Sequence, residues 1–305
     1  MISIIIPTLN GGELFGEVLK SIVSQDLSEK YELLVYDSSS TDDTAARAEA
    51  FGAEVIRVRR EDFDHGGTRS MAAKKAAGDI LVFMTQDAVI SEPGALSALI
   101  APLLKKDSPV DVTYGRQLPA QGATLAAAHL RLFNYPELTL QRSYEDRGKY
   151  GLKTVFVSNS FAAYKKAKLA AIGYFQNNLI FGEDTCAVGR LLLHGSAILY
   201  VAEATVYHSH NYTLLQEFKR HFDIGVLHST EKWLLKEYGR AEGHGASYVQ
   251  SALSCFLNNK AWSLLPDLII RCGVKYLGYN LGRKYRYLPA LVRPQLSMHH
   301  AWWQK

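Results

Sequence analysis

The sequence predicts an α/β protein with a mainly parallel central sheet, helices on both faces, and a helical extension at the C-terminal end. Three observations predict it. Strand-like and helix-like segments alternate through roughly the first hundred residues, every loop that follows a strand-like segment is polar, and from Thr213 onward the pattern is mainly helical. With 305 residues, 48% hydrophobic and 21% charged, the chain can bury a substantial core in one large domain or two.

"ISIII" is a short apolar, β-branched run. Glu13 to Gln25 follows it with Leu14, Val18 and Ile22 at helical spacing. "YELLVYD" reads as the second strand, and "SSSTDDTAARAEAFG" as a helix with Ser, Thr and Asp at its start and Gly52 at its end. "AEVIRV" is a third strand, "GTRSMAAKKAAG" a helix closed by Gly78, and "DILVFMT" a fourth strand. After about Arg116 the pattern changes to a helix-then-loop stretch suited to a lid, before "KTVFVSNSFAAY" returns to strand. The last part reads as "TLLQEFKRHFDIGVLHSTEKWLLKEYG", a glycine-containing break at 239–245, and two further helices. The expected division is 1–212, with halves 1–115 and 116–212, followed by 213–305. No internal repeat or low-complexity segment is visible.

Charge is unevenly placed. From Phe256 to Lys305 there are eight Lys/Arg against Asp267 alone, a net of +7, so the +4 of the whole chain leaves −3 for the rest. Basic character confined to an aromatic tail argues against nucleic acid and toward a membrane surface or an oligomer contact. Three separated cysteines without CxxC spacing give neither a disulfide framework nor a zinc site, and "MISIIIPTLN" has no basic leader. The expectation is an intracellular, cytoplasmic protein. The longest apolar stretches, such as "SLLPDLII", are interrupted well short of the ~20 residues a spanning helix needs.

In open parallel sheets ligands bind beyond the carboxyl ends of the strands. The loops there are "PTLNGG" (7–12), "YDSSSTDD" (36–43), "EDFDHGGTR" (61–69) and "TQDA" (85–88). Any one of them is ordinary turn chemistry. Four at one edge bring carboxylates, an arginine and exposed amides to one crevice. No GxGxxG follows the first strand and no GxxxxGK[ST] occurs, so a Rossmann site and a P-loop are both unsupported.

"SIIIPTLNGG" with Asp37, "SSTDD", Arg69 and Asp87 resembles the nucleotide-sugar-binding half of the family 2 inverting glycosyltransferases, which have a GT-A fold. The resemblance extends to "FGED" (181–184) and "HSHNY" (208–212). "FDHGGTR", "QDA" and "HSHNY" together resemble bacterial rhamnosyltransferases that build surface polysaccharides such as O-antigen from dTDP-L-rhamnose. The resemblance implies a metal-dependent hexosyltransferase with a glycan or lipid-linked acceptor, lying in the cytoplasm or peripherally on the inner face of the membrane. It implies nucleotide-sugar contacts at Thr8, Asn10, Asp37, His65, Gly66, Gly67, Arg69, Gln86 and Asp87. Asp87 is similar to the last acid of the family's DxD motif, which holds Mg²⁺ or Mn²⁺; the first acid is absent, Thr85 and Gln86 standing before it.

An inverting displacement needs one base and no protein nucleophile. Glu183 and Asp184 open a helix in which Ala187, Leu191 and Leu192 face inward; acids there also favour the helix dipole, but the pair resembles the family's base motif. The base is assigned to Asp184, with Glu183 supporting. His208 and His210 share one face of an extended chain, and although such a pair is more often structural, the resemblance makes His208 a metal ligand and His210 a diphosphate or acceptor contact. Gly66, Gly67 and Thr68 can offer backbone N–H groups to an anion at a helix start, with Asp64 and His65 toward the donor sugar. The competing functions are a sugar nucleotidyltransferase, disfavoured because "PTLNGG" has no basic residue, a transferase for another nucleotide sugar, and a non-catalytic partner that keeps the fold. In the tail, Ile269, Cys272, Tyr276 and Tyr279 fall at helical spacing with Arg271 and Lys275 off that stripe, as in a helix resting on a membrane surface.

Overall fold

The computed structural model describes residues 1–239 and 242–304, so part of the expected break at 239–245 and the last residue of the expected 213–305 segment lie outside the described residues. The first half alternates as the sequence predicts: β1 (Ile2–Thr8), α1 (Gly12–Val23), β2 (Tyr31–Asp37), α2 (Thr44–Ala50), β3 (Glu54–Arg57), α3 (His65–Lys75) and β4 (Ile80–Met84). These four strands pair in parallel in the order β3-β2-β1-β4. There follow β5 (Val89–Ile90), α4 (Ala95–Leu104), β6 (Val110–Leu118), α5 (Leu125–Asn134), β7 (Leu140–Arg142), α6 (Arg147–Tyr150), β8 (Phe161–Lys165), α7 (Lys166–Ala171), α8 (Glu183–Leu193) and β9 (Ala197–Tyr207). The sheet continues β4-β8-β6-β9-β5, with β7 on β9; β8, β5 and β7 enter antiparallel, while β6 and β9 run parallel.

Pleating divides the core in two. Ile4 and Ile6 face α1, α2 and α4 with Phe15, Leu19, Ala48 and Leu99, whereas Ile5 and Phe83 face α3 and α8 with Ala72, Ala73, Ala187 and Leu191. Central strands covered on both sides must be apolar throughout, and all five residues of β4 are buried.

Two local expectations need correction. Helix α3 ends at Lys75, so Gly78 does not close it; Gly78 sits where a Cβ would stand 2.6 Å from the Ser3 nitrogen, and only glycine permits that approach. "KTVFVSNSFAAY" is not one strand: Gly151–Val155 is a 3₁₀ turn, and β8 begins at Phe161. Its valines are buried in the core without sheet pairing, so burial imitated a strand pattern.

The extension comprises α9 (Leu214–Thr230), α10 (Lys232–Tyr238), α11 (Glu242–Asn258) and α12 (Leu265–Arg283). Helices α9 and α12 cross backbone to backbone. A Cβ on Gly278 would lie 2.5 Å from the Phe218 carbonyl oxygen, one on Gly282 2.0 Å from that of Phe222, and one on Gly225 2.3 Å from that of Tyr279. The crossing turns Arg271 and Lys275 inward to Glu217, at 3.2 and 3.7 Å, and Tyr279 to His228, which corrects the expected tail stripe. The exposed face keeps Ile269 and Tyr276 of that stripe and adds Ile270 and Leu277, while Cys272 and Tyr279 are half-buried. Beyond α12 the chain returns to the sheet half: Ser297 is fully buried, the Met298 N–H donates to Asp223 at 2.9 Å, and the Trp302 indole donates to the Asn178 carbonyl at 2.8 Å. Among the described residues no helix is long and apolar enough to cross a membrane.

Candidate functional site

Strand register assembles the site at one sheet edge. Thr8 ends β1 opposite Asp37 at the end of β2, and Met84 of β4 pairs with Phe161 of β8. The loops after these strands therefore meet at their carboxyl ends, and the segment before β8 joins them there.

The loops after β1, β2 and β4 bind one another. Asp37, 2% exposed, accepts from the Thr8 hydroxyl at 3.2 Å, from the Ser40 N–H at 3.0 Å, and from the Ser40 hydroxyl. Asn10 takes a left-handed conformation, φ 48°, and its side chain accepts the Thr41 N–H at 2.8 Å. Gln86 clamps the first loop, accepting from the Leu9 N–H at 2.8 Å and donating to the Leu9 carbonyl at 3.0 Å. Thr8, Asn10, Asp37 and Gln86 are thus brought together, with much of their hydrogen-bonding capacity already directed at the loops that carry them.

Asp87, His208 and His210 converge so that one ligand atom from each lies within 4.8 Å of the others. His208 Nε2 is 3.3 Å and His210 Nε2 3.7 Å from the Asp87 carboxylate. The His208 tautomer follows from its other side. Gln117 Oε1 accepts from Arg131 at 2.6 Å, so His208 Nδ1, 3.0 Å from the same oxygen, carries a proton and leaves Nε2 toward Asp87. Either a proton or a cation between Nε2 and the carboxylate satisfies that arrangement. Burial pushes the Asp87 carboxyl up, but the hydrogen bond and charge of His208, with Thr85 and His210, hold it below the ordinary carboxylate range. Burial pushes His210 down to about 4, leaving it neutral and able to ligate. Ligands about 2.1 Å from a shared ion stand roughly 3–3.5 Å apart; the His208–Asp87 pair meets that spacing and His210, at 3.7 Å, would have to close in slightly for the three to hold a divalent cation.

The neighbouring acids of α8 are separated by environment. Gly182, φ 78°, makes the turn into the helix. Glu183 turns into the core and pairs with Arg69 at 2.6 Å, both side chains nearly inaccessible; burial raises its pKa, but the charges of Arg69 and then His65 outweigh burial and hold it down. Asp184 is pushed up to about 6 by burial and by the Glu183 charge, against hydrogen bonds from the Thr185 N–H at 2.7 Å and the Asn159 N–H at 3.2 Å. Asn159 is itself held by the Tyr164 hydroxyl at 2.8 Å. The site therefore contains one permanently paired carboxylate and one poised near neutrality.

The glycine loop is built around packing. A Cβ on Gly66 would lie 1.9 Å from the Gln176 carbonyl oxygen. Two of the amides expected to face an anion are already engaged, because Asp64 caps α3 by accepting the Gly67 N–H at 2.7 Å and its carbonyl takes the Thr68 N–H at 2.8 Å. His65 lies edge-on to Phe63 and His299, at 4.9 and 5.6 Å between ring centres. Arg69 serves Glu183. An open cleft of about 890 Å³ on the outer side of α3, lined by residues including Met71, Lys74 and Asn177, borders neither the triad nor Asp184. Sequence reasoning missed Gln117, Arg131, Asn159 and His299, whose positions depend on strand pairing and on the returning tail; no local signal marks them.

The glycosyl transferase family 2 profile matches residues 3–173. Over 302 residues the chain is 38% identical to the O-antigen chain rhamnosyltransferase WbaN of Salmonella anatum, covering 99% of this chain and 95% of that protein. It is 36% identical over 304 residues to the O-antigen chain rhamnosyltransferase RfbN of Salmonella typhimurium, covering 99% and 96%. Among solved structures, the mannosyltransferase PcManGT from Pyrobaculum calidifontis, in complex with GDP-Man and Mn²⁺, aligns with TM-score 0.59 at 17% identity over 97% of this chain and 84% of that one. TarS residues 1–349 of S. aureus align with TM-score 0.57 at 19% identity over 98% and 86%. The fold is the GT-A fold.

Proposed function

The chain belongs to glycosyl transferase family 2, and from that premise we propose that it transfers L-rhamnose from dTDP-L-rhamnose to a lipid-linked glycan during O-antigen-type surface polysaccharide synthesis, with inversion at the anomeric carbon. The observation that carries the reading is the juxtaposition of the Asp87/His208/His210 triad with a single poised carboxylate, Asp184. Asp87 lies three residues beyond Met84 and Asn159 two residues before Phe161, on paired strands, so both flank the same point of the sheet edge.

Thr8, Asn10 and Asp37 line the nucleotide pocket. Asp87, His208 and His210 would hold Mg²⁺ or Mn²⁺, which when bound supplies positive charge at the departing diphosphate. Asp184 accepts the proton of the acceptor hydroxyl as that oxygen bonds to the anomeric carbon and the bond from that carbon to the phosphate oxygen breaks. Glu183, held ionised by Arg69, adds its charge to burial in keeping Asp184 basic enough for the task. His65 borders the sugar. Nucleoside diphosphate release by purified protein, measured over a panel of nucleotide sugars with Mn²⁺, tests the reading. It expects dTDP-L-rhamnose to be preferred; preference for another donor, or pyrophosphate exchange with a nucleoside triphosphate, overturns it.

The exposed α12 residues Ile269, Ile270, Tyr276 and Leu277 are accompanied by exposed Lys260, Arg283, Lys284 and Arg286. An apolar face beside exposed cations suits an anionic membrane surface, where each basic residue contributes about 1 kcal/mol. Because α12 also packs on α9, the test is a point variant: Ile270→Asp with Leu277→Asp should abolish low-salt sedimentation with anionic liposomes. Equal sedimentation of wild type and variant excludes this face.

A further inference from the structure

A row of rings joins the two halves of the site. His208 and His210 meet edge to face at 4.8 Å, and His210 stacks on Tyr212 at 5.2 Å. At the other end His65 meets His299 at 5.6 Å, and His299 lies parallel to Phe181, 7° between planes at 6.1 Å. Phe181 stands three residues before Asp184. Between Tyr212 and Phe181 the row is bridged by the guanidinium of Arg220, 6.0 Å from one ring centre and 5.8 Å from the other.

Arg220 differs from the arginines around it. Arg69 is neutralised by Glu183 and Arg271 by Glu217 and Asp267. Arg220 is exposed, and among the described residues no carboxylate lies within ion-pair distance of it. Two aromatic faces hold a guanidinium in place without neutralising it. The planar fork stays free for a bidentate anion, and phosphate oxygens match its geometry.

We infer that Arg220, presented by α9 from the C-terminal extension, binds the diphosphate of the nucleotide-sugar donor and stabilises it as it departs. This rests on the donor reading above. It makes Arg220 a cation of the chain's own, placed between the triad and the base, and it makes the extension part of the transfer site.

The experiment is calorimetric titration of the full-length protein with dTDP and dTMP, in Mn²⁺ and in EDTA, for wild type, Arg220→Gln and Arg220→Lys. Loss of charge-assisted bonds to a diphosphate should weaken dTDP by roughly tenfold to a hundredfold in Arg220→Gln. Binding of dTMP, which lacks the β-phosphate, should change far less. Arg220→Lys should recover part of the loss, and the loss should persist in EDTA because the charge belongs to the chain. Arg220→Gln binding dTDP as tightly as wild type, or losing dTDP and dTMP equally, overturns the assignment. Wild type that binds none of dTDP, UDP or GDP overturns the donor reading and this one with it. An unchanged melting temperature for Arg220→Gln is expected, since its side chain is exposed.

Discussion

At the carboxyl ends of the neighbouring strands β1, β2 and β4, Asn10 and Gln86 bond to the backbone of an adjacent loop and Asp37 to the backbone of its own. In the C-terminal extension, Arg220 and His299 reach the site from a glycine crossing of α9 on α12 and from a tail that returns to Asp223 and Asn178. The difference is one of division of labour. The strand ends direct their polar groups at one another's loops, while the extension holds Arg220 by aromatic rings with, among the described residues, no carboxylate at ion-pair distance. Asp184 lies between the two, on a turn whose Gly182 packs against Leu227 of α9.

Five perturbations sharpen that contrast, from the largest expected effect to the smallest. Asp184→Asn keeps shape and removes basicity, so turnover should fall by ~10²–10⁴ while dTDP-rhamnose still binds; single-turnover rates beside calorimetry decide it, and near-wild-type turnover places the base elsewhere. Asp87→Ala should remove the Mn²⁺-dependent part of dTDP binding. Gln117→Leu, which releases the His208 tautomer and also removes the Arg131 hydrogen bond, should lower Mn²⁺ affinity by about tenfold; Mn²⁺ titrations unaffected by both changes would exclude the triad as a metal site. Gly282→Ala forces a methyl into the Phe222 carbonyl and should destabilise the protein by about 1–3 kcal/mol. A denaturation midpoint equal to wild type would mean that the helices do not cross so closely. His65→Ala should weaken dTDP-rhamnose more than free dTDP, and an equal loss of both would assign the histidine to the fold.

The sequence showed β1 to β4 and their helices because apolar period and turn chemistry are local signals. It also marked Asp87 and the histidine pair as chemistry-bearing, but it could not show that Gln117 and Arg131 fix one imidazole, since β6 meets β9 only through the folded sheet. Arg69 was legible as a helix-start arginine beside a crevice; its burial against Glu183, 114 residues away, was not. In the tail the helical period and the exposure of Ile269 and Tyr276 are legible, but the inward turn of Arg271 and Lys275 is not, because they find Glu217 on a helix whose approach depends on glycines. Charge predicts exposure only where no buried partner waits.

The poised carboxylate gives the central test. Asp184 has its pKa pushed up to about 6 by burial and by its ionised neighbour, and a general base works only when deprotonated. The pH dependence of kcat/KM for transfer from dTDP-L-rhamnose should therefore rise through about pH 6 and level off above it. The residual activity of Asp184→Asn should lack that limb. A wild-type profile flat across this range, or a limb that survives in Asp184→Asn, would contradict the assignment of Asp184 as the base.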